Sequence, residues 1–409
     1  MNRILTGMVT LGFVLAAPVA GCAASETESS DTVAQAPADA AAIEQAQALL
    51  TDFFENNAVP IAGFSVTIRK DGNTVFNESR GVMNLDSQAS ATPQTRYRIY
   101  STSKPLTAAA AMRLAEQGRL DLDAPIGELM PDLPDHIQPI TARQLMGHRS
   151  GIRHYRSGEW VSVSDWNCPG PRDAMTDFIN DPLEFEPGTD MAYSTFGFVV
   201  LSAVIETAAG ESYDDAMRHL LFEPAGMTAT AIEGRRVPGY DVATFYLHPD
   251  PDDPDDDWMA TADYETPIDA SCKFGGGGFV STSEDLARFG QAMMDGTLVS
   301  AQGVDGLTTV VTPATDAGPA YGRGFFDGES WLGSLSNWIL RENVRESVPV
   351  IPDTDIWFHG GSAAGGYSML FVYPEYDLVA TLASTNALGG NIAMVDLHEI
   401  AMVFADIEE

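Results

Sequence analysis

Strand-like segments lie towards both ends of this chain, and the long stretch between them reads as helix and loop. On the N-terminal side, Gly63-Phe64-Ser65-Val66-Thr67-Ile68-Arg69 alternates apolar and polar residues, and Thr74-Val75-Phe76-Asn77 follows after Asp71-Gly72-Asn73. That pattern predicts an antiparallel hairpin, because Asp-Gly supplies the positive φ angles of a tight turn. On the C-terminal side, Tyr367–Val372 and Leu378–Thr385 read as two strands joined at Pro374-Glu375. Apolar residues at helical spacing predict a helix over Ile43–Asn56, the alanine-rich Pro105–Gln117 and apolar Phe196–Ala209 read as two more, and Asp285–Met294 and Asn391–Ala405 as further helices. A strand cannot leave its backbone groups unpaired. The expected fold is therefore α+β: an antiparallel sheet built from about 43–100 and 350–409, flanked by helices, with an all-helical lobe inserted over about 105–300. Residues 43–409 form one domain in this reading, with no internal repeat.

The first 21 residues read as a secretory signal. Met1-Asn2-Arg3 carries one positive charge and is followed by a short apolar run from Ile4 to Ala20. The run ends Val19-Ala20-Gly21-Cys22, which resembles the bacterial lipoprotein signal and makes Cys22 the expected lipidation site. An ordinary signal peptide beside an incidental cysteine is the alternative. Residues 22–42 are rich in Ala, Ser, Glu, Asp and Thr and read as a flexible tether. The expected location is the periplasm, anchored through lipid to the outer membrane. Cys168 and Cys272 are then an even pair in an oxidising compartment, which suggests a disulfide; two unrelated thiols are the alternative.

The formal net charge is −36, from 58 acidic and 22 basic residues. Such a surface repels phosphate, which excludes nucleic acid as a partner and disfavours docking to anionic lipid. Part of the charge is the proline-broken run from Asp250 to Asp257, read as a solvated loop because its spacing is not that of a calcium-binding loop. The only lysines are Lys70, Lys104 and Lys273.

Lys104 belongs to Ser101-Thr102-Ser103-Lys104, at the start of an alanine-rich helix. S-x-x-K at a helix start puts serine and lysine one turn apart on one face. A serine hydroxyl needs a base, and a desolvated lysine with a lowered pKa can be one. Pro187 to Gly197 contains Tyr193-Ser194-Thr195 at a loop-to-helix junction, where a phenol could shuttle a proton if cations lower its pKa. Alone, Tyr193 reads better as structural. His359-Gly360-Gly361-Ser362 lets a ligand approach the backbone, and its N–H groups could stabilise an oxyanion; alone it reads as a turn. The nucleophile signature G-x-S-x-G is absent, and His148 and His154 are not at H-E-x-x-H spacing. An α/β-hydrolase and a metallohydrolase are thereby disfavoured, and no cofactor is expected.

In this order the three segments resemble the serine β-lactamases and penicillin-binding proteins. Tyr97-Arg98-Ile99-Tyr100, Gly118 to Pro125, Ile140 to Ile152 and Gly275 to Thr282 are similar to flanking segments of that family. Tyr193-Ser194-Thr195, His154-Tyr155 and a histidine opening the third motif are similar to the subgroup typified by the mitochondrial serine β-lactamase-like protein. The resemblance implies Ser101 as nucleophile, Lys104 as base, Tyr193 as proton shuttle, and the N–H groups of Ser101 and Ser362 as oxyanion hole. Thr195, His359, Gly360 and Gly361 take the family's substrate-binding positions. Thr195 stands where the family has asparagine, and His359-Gly360 where it has Lys-Thr. A lactam carboxylate would therefore need some other cation, such as Arg153 or Arg323. The expected function is hydrolysis of an amide or ester in a small molecule or peptide, with weak β-lactamase activity at most. A catalytically silent protein that docks cell-wall peptide is the alternative. His148 is read as structural.

Overall fold

The computed structural model describes residues 40–405 except 57–58, 157–158, 160–167, 248–256, 264–267, 316–317, 332–354 and 389. The expected signal, the expected tether up to residue 39 with Cys22, and most of the acidic run at 250–257 lie outside the described residues, while residues 40–42, expected in the tether, already belong to the first helix. The strands are β1 Gly63–Lys70, β2 Asn73–Asn84, β3 Ala89–Ser90, β4 Tyr97–Arg98, β5 Ala231–Ile232, β6 Tyr246–Leu247, β7 Met259–Ala260, β8 Phe279–Ser281, β9 Phe326–Asp327, β10 Trp357–Ala363, β11 Gly366–Tyr373 and β12 Leu378–Ser384. The longer helices are α1 Ala40–Asn56, α2 Ser103–Glu116, α3 Thr195–Ala209, α4 Ser283–Met294 and α5 Gly390–Met402.

The main sheet runs β3-β2-β1-β12-β11-β10-β9 and every pairing in it is antiparallel. The two ends of the chain meet at its centre, where Val66 is opposite Leu382. The β1–β2 turn places Asp71 and Gly72 at φ 49° and 74°, which matches the twist of the strands it joins. β1 alternates, yet both of its faces are buried. Phe64, Val66 and Ile68 pack against Ala46, Leu50 and Phe53 of α1 and Leu397 of α5. The opposite face carries hydroxyls. Thr67 Oγ1 lies 2.8 Å from Ser283 Oγ at the start of α4, and Ser65 Oγ lies 2.8 Å from the Tyr97 hydroxyl. Paired hydroxyls avoid the penalty of roughly 1–3 kcal/mol for a buried polar group left unpaired.

The sheet thus separates two apolar cores. One lies under the terminal helices. The other gathers α2, α3 and α4 with Leu370, Val372 and Val379 of the sheet. Three features differ from the sequence pattern. β2 extends to Asn84, because Gly81 can take φ 73° and let the strand carry on past Gly63. Residues 357–363 form a strand rather than a turn. Among the described residues the inserted lobe is not all-helical: β5 and β8 join β4 in a three-stranded sheet, and β6 pairs with β7. These strands are two or three residues long, too short for a period-2 pattern to show.

Candidate active site

Ser101 lies in a 3-10 turn, Tyr100–Thr102, that feeds directly into α2. Tyr100 is at φ 42°, a strained conformation that aims the following residue out of the chain's direction. Lys104 is fully buried, one turn further on. Its Nζ is 3.0 Å from Ser101 Oγ, 3.2 Å from Thr195 Oγ1 and 2.7 Å from the Gly276 carbonyl oxygen. Burial, and then the charge of Lys273, hold its pKa well below the ordinary lysine value. A neutral amine has two N–H donors and one lone pair. Once neutral, the amine can donate to Gly276 and Thr195 and turn its lone pair to the Ser101 hydroxyl proton.

Tyr193, Ser194 and Thr195 enter from the start of α3. Ser194 caps that helix, its Oγ accepting from the Gly197 N–H at 2.9 Å. Two histidines hold the turn. His148 Nδ1 accepts from the Ser194 N–H and His154 Nδ1 from the Thr195 N–H, both at 3.1 Å. His148 has φ 57° and lies against the Tyr193 ring at 4.2 Å, so its structural reading gains a positioning role. The Tyr193 hydroxyl is near enough to Ser101 to interact with it, and Lys104 Nζ sits 4.7 Å above the Tyr193 ring. The expectation of a cation-lowered phenol is corrected here: desolvation raises its pKa, and the phenol stays protonated. The Thr195 hydroxyl accepts from Lys104 Nζ.

The third segment lies in β10, pairing His359 with Leu370 and Ser362 with Tyr367. A Cβ on Gly361 would sit 2.0 Å from the Ile99 carbonyl oxygen and 2.8 Å from the Ser101 nitrogen. Only glycine lets this strand run against the nucleophile's own backbone. Ser362 follows and lines the cavity at Ser101. His359 is fully buried, bonded through Nδ1 to the Gly360 carbonyl at 2.7 Å, with its pKa pushed down to about 3 by burial. It supplies no positive charge at neutral pH. At Gly360 a Cβ would meet Met369 Cε at 2.8 Å, so a threonine hydroxyl there would have to displace that side chain.

The cavity is about 330 Å³ and is lined by Ser101, Tyr155, Thr195, Lys273, Gly277 and Ser362 among others. Arg153 does not reach it as a free cation, being paired with Asp181 at 2.6 Å and Glu159 at 2.7 Å, and Arg323 is not among its walls. Lys273 is the residue the motif search missed, and its rarity among the lysines was the available signal. The preceding Cys272 is disulfide-bonded to Cys168, with Cα atoms 5.5 Å apart. The glycines that follow are forced by proximity: a Cβ on Gly276 would meet Thr195 Cγ2 at 2.6 Å. Among the described residues no group of three or more His, Cys, Asp or Glu side chains is gathered to hold a metal ion.

A β-lactamase family model matches residues 42–401. The chain belongs to the β-lactamase family. It is 30% identical over 325 residues to the human serine beta-lactamase-like protein LACTB, mitochondrial, covering 63% of this chain and 57% of the human protein. It is 27% identical over 250 residues to Penicillin-binding protein 4* of Bacillus subtilis, covering 58% of this chain and 53% of that protein. The chain thus spans somewhat more than half the length of the curated relatives it matches. In fold it is similar to D-amino acid amidase from Ochrobactrum anthropi SV3, with TM-score 0.71 and 22% identity over 88% of this chain and 98% of that one. It is likewise similar to the octameric penicillin-binding protein homologue from Pyrococcus abyssi, with TM-score 0.70 and 22% identity over 88% and 77%. This family and fold are those of serine hydrolases.

Proposed function

We propose that this protein is a serine hydrolase that cleaves an amide or ester through an acyl-enzyme on Ser101, as a peptidase or esterase and a poor β-lactamase. The observation that carries the reading is Lys104 Nζ, buried, depressed in pKa and 3.0 Å from Ser101 Oγ. Ser101 Oγ attacks the carbonyl carbon while Lys104 takes its proton. The N–H groups of Ser101 and Ser362 face the developing oxyanion, a stabilisation typically worth about 3–4 kcal/mol per donor. The protonated phenol of Tyr193 gives its proton to the leaving nitrogen or oxygen, and the Lys104 ammonium restores it. Water then attacks the acyl-enzyme with Lys104 again as base.

The neutral, buried His359 supports the weak-lactamase part, since the family's lysine charge has no counterpart at that position. A fold neighbour named as a D-amino acid amidase makes a small amide the first substrate to try. Secretion, lipidation at Cys22 and residence at the outer membrane remain part of this proposal and rest on the N-terminal sequence. Labelling with a fluorophosphonate, read by peptide mass spectrometry, tests the nucleophile. Ser101 carries the label, Ser101→Ala abolishes labelling and p-nitrophenyl ester hydrolysis, and nitrocefin turns over far more slowly than the ester. Full activity in Ser101→Ala, or nitrocefin kcat/KM near the diffusional ceiling of about 10⁸ M⁻¹s⁻¹, overturns the reading.

A further inference from the structure

We infer that Lys273 is a specificity-determining residue that binds a carboxylate carried by the acyl portion of the substrate. The inference rests on the acyl-enzyme reading for which part of the substrate lies where. The Tyr193 phenol marks the side on which the leaving group departs. Tyr193 and His359 are not walls of the cavity at Ser101, and they belong to an aromatic cluster with Tyr321 and Phe326. The cavity itself opens toward Tyr155 and Lys273, and there the acyl portion must sit.

Lys273 is 5% exposed, and among the described residues its ammonium has no hydrogen bond and no ion pair. Its neighbours are the Tyr100 ring at 5.3 Å and the Tyr155 ring at 5.5 Å. The nearby carboxylates are engaged elsewhere. Glu233 holds Arg98 and the Ala270 N–H, and Asp269 accepts from the Ser271 N–H at 2.7 Å. Among the described residues this buried cation has no direct ion pair, only the weaker attraction of Glu233 and Asp269, and an anion entering the cavity relieves the cost of its burial. The pKa of Lys273, lowered to about 8 by burial and then by Arg98, leaves the group largely cationic at pH 7. The disulfide at Cys272 and the tight Gly276 contact fix the segment, so the charge is presented from a rigid wall. With no lysine in the third motif, Lys273 is the lysine or arginine that lines this cavity among the described residues.

The test compares N-acetyl-aspartyl with N-acetyl-asparaginyl p-nitroanilide, in D and L forms, at pH 7 and about 0.15 M salt. That salt screens the protein's own negative field beyond about 8 Å. Binding to the Ser101→Ala protein by calorimetry needs no turnover, so it judges the pocket even if the hydrolase reading fails. Wild-type hydrolysis of the p-nitrophenyl ester judges that reading separately. One charge-assisted hydrogen bond corresponds to roughly 10- to 100-fold in affinity. The acid is expected to bind that much more tightly than the amide, with the same preference in wild-type kcat/KM. Lys273→Met lowers the acid-to-amide ratio at least tenfold. Taking a ratio cancels any effect of the lost charge on Lys104. Equal binding of acid and amide by the Ser101→Ala protein, or an unchanged ratio in Lys273→Met, overturns the inference. So does a Lys273-dependent preference for a carboxylate placed on the leaving group, as in a 3-carboxy-4-nitroanilide.

Discussion

At the scale of single residues, the chemistry turns on protonation states set by burial. Lys104 is a base only because water is kept from it, and Lys273 adds a like charge that lowers its pKa further. The sign follows directly. A lowered pKa keeps the amine free at pH values where an exposed lysine, near 10.4, is almost wholly protonated. As pH falls the amine is protonated, so kcat/KM for a neutral ester declines along an acid limb. Lys104→Met is expected to cost roughly 10²–10⁴ in rate and to remove that limb. Lys273→Met is expected to move the limb to higher pH, because the lost charge no longer opposes protonation. A pH-rate series on the three proteins checks both. Ser101 and Lys104 were readable in the sequence because an i, i+3 pair on a helix is fixed by helical geometry alone. The neutrality of His359 was not, because its desolvation comes from Phe326, Tyr321 and Tyr193, which reach it only through tertiary packing.

At the scale of elements, the site is a seam between β10 and the turn before α2. Gly361→Ala places a methyl group 2.0 Å from the Ile99 carbonyl oxygen, a backbone atom that cannot rotate away. The strand must move off the nucleophile. Overpacking of this kind typically costs about 1–3 kcal/mol, and a displacement of about 1 Å at a reacting group about 10²-fold in rate. Gly318→Ala, where a Cβ meets nothing within 4 Å, serves as the control and should be near neutral. Thermal melting and ester kinetics on both variants decide it. Residues 357–363 escaped recognition as a strand because two glycines dilute their apolar alternation. Pairing with β11 supplies what the local pattern lacks. The helices were legible to within a few residues, because a long apolar run, buried all round in α2 and α3 and on one face in α1, is a property of contiguous sequence.

At the scale of the whole molecule, one bond ties distant parts of the inserted lobe to the site. Cys168 and Cys272 are separated by 104 residues. Closing a loop of that length stabilises by up to about 5 kcal/mol in the chain-entropy view. The double variant Cys168→Ser/Cys272→Ser is expected to melt about 4–6 °C lower. It should also lose part of its discrimination for an acidic acyl group, since Lys273 adjoins the bond. A melt and the acid-to-amide ratio measure the two effects. An unchanged melting temperature would remove the bond from any structural role.

By itself the sequence determined the α+β class, the hairpin and the long helices, and the Ser101–Lys104 pair, because each is written in residues close along the chain. Tertiary structure decided the rest. It set the run of β10 beside Ser101, the protonation of Lys104, Tyr193 and His359, and the arrival of Lys273 in the cavity. These depend on which groups lose water and which backbones touch, and both are set by contacts between residues far apart in sequence.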